Sequence, residues 1–216
     1  MESRPNHKIA EILIYASWLF ILFVAVYDLF ITPYKSILWF SLLAILVFAY
    51  RKFSYVSVYI HLLFAAFWIP NILGEELFKF FYITTYYDKI LHLVNPIIIS
   101  SFVYHIVKHK IEDKRILIML CVFSALSFGI LWEIIEYGFD NIFGSVMQGV
   151  YLLGGNEEFF GIVSRQAQDK FTDTMQDMTY ETLGVFIFAV GYYLWYRIKS
   201  SSRQDYRVNF NKNIKK

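Results

Sequence analysis

A single cysteine, Cys121, lies inside an apolar run, so the chain can form no intrachain disulfide and no cysteine-based metal centre. Charge is also scarce. Only 18% of the residues are Asp, Glu, Lys or Arg, and the formal net charge of +2, with no basic stripe interleaved with aromatics, excludes a nucleic-acid partner. Proline, at four residues, is too rare for a proline-rich linker, and no internal repeat or second domain stands out. What is abundant is apolar surface: 57% hydrophobic residues, 20% aromatic residues and a mean hydropathy of +0.46 over 216 residues. A soluble domain of this size rarely carries so much, and a multi-pass membrane protein usually does.

The hydrophobic runs divide the chain into six expected spans, at about residues 12–31, 36–50, 53–73, 89–107, 116–137 and 173–196. The expectation is therefore an all-α integral membrane protein with a single membrane domain over residues 1–200 and a polar cytoplasmic tail at 201–216. Arg4 and Lys8 precede the first run as in a signal peptide. That run is about 20 residues long and lacks a small-residue cleavage site, which marks an uncleaved span. An acidic then aromatic segment, residues 74–88, suits an interfacial position before the fourth span. Residues 138–168 form the longest connection, punctuated by glycines, and either fold back at membrane depth or cover the protein from outside.

Six spans place both termini on one side. The N-terminus, the Arg51–Lys52 turn, the loop at 108–115 and everything after the sixth span, from residue 197 on, carry 15 of the 20 Lys and Arg, so the positive-inside rule makes both termini cytoplasmic in a plasma (inner) membrane. The intramembrane charges then fall at one depth. Asp88 and His92 open the fourth span, Glu133 and Glu136 lie late in the fifth, and Asp173, Asp177 and Glu181 form a four-residue stripe early in the sixth. The apolar part of that last helix, Val185 to Tyr196, is only about 18 Å long at roughly 1.5 Å per residue and cannot cross a core of about 30 Å without drawing Glu181 inward.

Charged groups at span centres cost about 2.5 to 3.5 kcal/mol each, so these need partners. Asp88 and His92, spaced i, i+4, suit an oriented imidazole or a shared cation; a capping Asp beside an interfacial His is the plainer reading. Glu133 and Glu136, with Trp132 and Tyr137 beside them, either share a proton or cation or stay hydrated at the interface. Only Lys79, Lys89, Arg165 and Lys170 count as bases on that side, too few for the acids present. One histidine among carboxylates has the donor character for a divalent cation, with Asp88, His92, Glu133, Glu136, Asp173, Asp177 and Glu181 as candidate ligands. His61 and His105 read as packing residues, and Asn95–Pro96 as a bend.

Three motifs in order, Asp88-Lys89-x-x-His92, Trp132-Glu133-x-x-Glu136 and Asp173-x-x-x-Asp177-x-x-x-Glu181-x-x-Gly184, resemble the YjdF-like family of uncharacterised prokaryotic inner-membrane proteins. More distantly they are similar to VanZ-like proteins, whose hallmarks are D-K-x-x-H at a helix start, a Glu on the next span and D-x-x-x-N-x-x-G on the last. Glu181 stands where the VanZ-like pattern has Asn. The likeness covers roughly Tyr82 to Gly191, and for VanZ-like proteins it implies an association with low-level resistance to lipoglycopeptide antibiotics.

Three functions remain open. The first is binding of a cation and/or the head group of a lipid or envelope precursor at an outward-facing site. The second is a metal-dependent hydrolase or transferase acting on a lipid-linked substrate, with His92, Glu133, Glu136 and Asp177 as candidate catalytic residues. The third is an ion or proton pathway, for which the inner half offers little beyond His61 and His105.

Overall fold

A computed structural model describes residues 5–31, 33–52, 58–144, 147–159 and 162–214. Helix α1 (Pro5–Ile31) is followed by α2 (Pro33–Lys52) and α3 (Val58–Ile72), which runs into a π-helical turn at Leu73–Leu77. The one-turn α4 (Phe80–Ile83) leads to α5 (Tyr86–Val107) and α6 (Lys114–Phe143). Two strands, β1 (Val150–Phe159) and β2 (Ile162–Gln168), precede the long α7 (Lys170–Ile214), which runs through most of the expected tail. Residues 53–57, the start of the expected third span, lie outside the described residues.

The boundaries have local causes. Proline at the first helical position opens α2 without losing a needed N–H donor. Asp113 caps α6 by accepting from the Arg115 and Ile116 amides at 2.7 and 3.4 Å, and Lys79, at φ 53°, turns the chain sharply before α4.

Helices α1, α2 and α3 pack around Ile21, Val24, Ala25, Trp39, Leu42, Leu46 and Ile72. Helices α5, α6 and α7 form a second group, joined to the first through α3 and α5. The buried face of α6 is one stripe, Leu117, Cys121, Ala125, Gly129, Glu133, Glu136 and Asp140, that passes from apolar to acidic along the helix. Outside, the pattern is inverted relative to a water-soluble protein. Ile12, Phe23, Phe30, Phe123, Ile134 and Phe186 are among many large apolar side chains more than half exposed, while Lys89, His92, Glu133, Asp173 and Asp177 are buried. Among the described residues, three helical segments are long and apolar enough to cross a membrane, Lys8–Ile31, Tyr86–Val107 and Lys114–Phe143; Lys35–Phe48 is a shorter apolar helix.

The all-α expectation needs one correction. Strands β1 and β2 pair antiparallel as a hairpin, with Tyr151 opposite Gln166, Leu152 opposite Arg165 and Leu153 opposite Ser164, and an irregularity before Glu157. Glycine pairs and short β-branched or aromatic runs there favour two strands over a helix. Strand β1 packs on α4.

Candidate functional site

Helices α5 and α7 run parallel, and their side chains meet in sequence order. Lys89 meets Asp173 and Asp177, His92 meets Glu181, Leu93 and Pro96 meet Gly184, and the rings of Tyr104 and Tyr192 lie 5.2 Å apart. The four-residue period of the α7 acids therefore faces α5 turn by turn. At Gly184 a side chain would overlap the Leu93 carbonyl and crowd the Pro96 ring, so glycine sets how closely the two backbones approach.

Lys89 is shared among three of the acids. Its ammonium reaches Asp88 Oδ2 at 3.2 Å and Asp177 Oδ1 at 2.7 Å and also binds Asp173, so one base serves three carboxylates. Lys35, absent from the bases weighed above, pairs with Glu75 and Glu76 on the π-helical turn.

His92, itself buried, is ringed by carboxylates. On one side of the imidazole, Nε2 lies 3.5 Å from Asp88 Oδ1 and 3.9 Å from Asp177 Oδ1. On the other, Nδ1 lies 3.1 Å from Glu181 Oε1 and 4.0 Å from Glu133 Oε1. The structure thus gathers two groups with ligand atoms within 4.8 Å of one another, Asp88–His92–Asp177 and His92–Glu133–Glu181. Asp173 and Glu136 belong to neither. Both Asp173 oxygens are engaged, Oδ1 by Lys89 and Oδ2 by the Gly149 amide at 2.8 Å, and Glu136 is buried where α6 faces a cavity.

Glu133 differs from Asp88, Asp173, Asp177 and Glu181, each of which has a hydrogen-bond partner. It is 6% exposed, and neither carboxylate oxygen has a hydrogen-bond partner. The Thr174 hydroxyl on α7 is oriented toward it but falls outside hydrogen-bond geometry. Glu181 has its place because residue 129 is glycine; a Cβ there would overlap the Glu181 carboxylate.

The base of the hairpin is tied over this cluster. Asp140 accepts from the Met147 and Gln148 amides at 2.7 and 3.2 Å and from Lys170 Nζ at 2.7 Å, and Gln148 Nε2 donates to Thr174 Oγ1 at 3.3 Å. Met147, Gly149, Val150 and Tyr151 of this segment line the cavity described next, so its described part closes over the site.

Below the hairpin lies a cavity of about 450 Å³. Asp88, His92, Glu136 and Glu181 line it from α5, α6 and α7; Asp28, Lys35, Glu75 and Glu76 form a second polar wall from α1, α2 and the π-helical turn, and Trp39, Phe67, Phe128 and Trp132 add aromatic lining. Sequence reasoning missed the second wall. Asp28 accepts from Trp39 Nε1 at 2.8 Å, and Tyr82 OH donates to Glu75 Oε1 at 3.2 Å. Burial pushes the Glu76 carboxyl up, against the pull of Lys35. The available signal was Lys35, an isolated base between two apolar runs that Pro33 folds against each other. His61 and His105 stand apart: the first packs on the Tyr50 ring and the second bonds the Ser101 carbonyl.

Residues 7–198 match the model of a family described as "Predicted membrane protein (DUF2238)". No curated protein and no solved structure matches the chain. Because the match takes in every helix that builds the site, the chain belongs to this family of membrane proteins.

Proposed function

We propose that this membrane protein spans the plasma membrane six times, with both termini cytoplasmic, and binds the head group of a lipid or lipid-linked envelope precursor in the cavity beside His92. Helix α7 is too polar to be recognised as a span by composition, but it lies along α5 from Lys89 to Tyr104, so the two helices share one depth. That depth is polar at the hairpin end only. Toward the opposite end the facing residues are Ser100, Leu117, Cys121, Val185 and Tyr192, which supports a closed-ended site over an ion pathway. The likeness to YjdF-like and VanZ-like sequences supports the same inner-membrane location.

The observation that carries the reading is the cavity itself, with aromatic walls for an apolar body and convergent charged groups for a head. The site is tested by the thermal stability of the purified chain in detergent with added lipids of different head groups. One head-group class is expected to raise Tm by several degrees, and Glu136→Gln to reduce that rise; equal shifts for all lipids in both proteins would overturn the reading.

A further inference from the structure

We infer that His92 Nδ1, Glu133 and Glu181 form a binding site for a first-row divalent cation, with Lys89 serving as the fixed cation of the neighbouring Asp88–Asp173–Asp177 group. The two sides of the His92 ring are not equivalent. On the Nε2 side, Asp88, Asp173 and Asp177 each already accept a hydrogen bond from Lys89, and Asp173 takes a second from the Gly149 amide. On the Nδ1 side, Glu133 is buried and both its oxygens lack a donor.

A neutral Glu133 does not resolve this, because a protonated carboxyl must donate its proton and neither oxygen has a hydrogen-bond partner of any kind. A bare carboxylate is worse, since its charged neighbour His92 Nδ1, at 4.0 Å, is too far to hydrogen-bond it, and a buried charge so weakly paired costs several kcal/mol after relaxation. A cation between Glu133 and the His92–Glu181 pair removes both difficulties. The distances allow it: ligand atoms 3.1 and 4.0 Å apart can share an ion bonded to each at about 2.1 Å. Asp88, one helical turn from His92 and 3.5 Å from Nε2, is then the acceptor that fixes the tautomer with Nδ1 free to ligate.

Donor chemistry sets the class. One imidazole nitrogen and two carboxylates suit Zn²⁺, Mn²⁺ or Fe²⁺, whereas Mg²⁺ and Ca²⁺ prefer oxygen throughout. Three protein ligands leave coordination positions open, and His92 and Glu181 both face the cavity. This step rests on the head-group reading: the two carboxylates offset the ion's charge, and its open positions would take a phosphate oxygen directly, giving an anionic head group a Lewis-acid contact on an otherwise acid-rich wall.

The test uses the full chain, purified in detergent, stripped with chelator and titrated with Zn²⁺ or Mn²⁺ alone. About one equivalent is expected in the wild type, with Glu133→Gln and Glu181→Gln binding at least tenfold more weakly and Asp173→Asn within twofold. Glu133→Gln should also abolish the rise in Tm that metal gives the wild type, while remaining folded without it. On the unmutated protein, Mn²⁺ should show electron spin-echo modulation from one imidazole nitrogen, a readout independent of any variant's folding. No stoichiometric metal, no nitrogen coupling, or equal loss in Asp173→Asn would overturn the site. Metal binding without any head-group-dependent stabilisation would overturn only the lipid reading, and the reverse result only the metal.

Discussion

Two glycines show how the site is held at the scale of single residues, and they differ in what an added methyl group would meet. At position 129 it meets the end of the Glu181 side chain, which can rotate away; at 184 it meets the Leu93 backbone, which cannot. Gly129→Ala is therefore expected to leave the fold largely intact but displace Glu181 from His92, lowering metal affinity at least tenfold. Gly184→Ala should separate α5 from α7 and cost about 1 to 3 kcal/mol, as overpacking does elsewhere. Melting curves and metal titrations of the two variants, side by side, check the contrast; similar losses of stability in both would refute it. Gly184 was legible in the sequence because it continues the face of Asp173, Asp177 and Glu181. Gly129 was not, since its neighbour Glu181 lies 52 positions away, beyond any local pattern. Lys89 was visible within its motif, yet its service to three acids at once depends on how α5 and α7 pair, which spacing along one helix cannot reveal.

At the scale of elements, α7 couples the hairpin to the site through its first turn. Asp169 accepts from the Thr172 amide and hydroxyl at 3.0 and 2.6 Å, and its carbonyl takes the Asp173 amide, so the cap sets the position of the first acid in the stripe. The Thr172 hydroxyl and amide hold the Asp169 carboxyl below its usual pKa. A carboxyl with a lowered folded pKa stabilises above its unfolded value, and that contribution is lost as pH falls through the folded one. Asp169→Ala is thus expected to destabilise the protein near neutral pH and to flatten its dependence on pH below about 4. Hydrogen exchange at residues 170–173, faster in the variant at pH 7 and converging with wild type in acid, would show it; no difference at pH 7 would refute it. The hairpin that α7 supports was the least legible element. Its strands are short, half-polar and interrupted by glycine, and they gain their stability from packing on α4 and from Asp140 and Asp173, residues whose reach across the chain has no local signature.

Across the whole molecule, apolar residues outside and charges inside follow from one cause: lipid can cover Phe30 or Phe186 at no cost, but it cannot solvate Lys89 or Asp177. Composition sufficed to read the membrane class, and charge counting over short loops gave an orientation. What composition could not supply was the partner that lets α7 sit beside α5, because a helix bearing three acids is excluded by hydropathy until its neighbour's Lys89 and His92 are known. The topology makes a sharp demand. The six-span proposal puts the loop between α5 and α6, near Glu112, and the hairpin, near Arg165, on opposite sides of the membrane, with α6 between them, 30 residues and about 45 Å long at roughly 1.5 Å per residue. Single cysteines at these two exposed positions, in a Cys121→Ser background that removes the buried native thiol, provide the measurement. A membrane-impermeant maleimide added to intact cells is expected to label Arg165→Cys and spare Glu112→Cys until the membrane is opened. Labelling in the opposite order would invert the protein and turn the cavity beneath the hairpin toward the cytoplasm, where its ligand would have to be a head group of the inner leaflet.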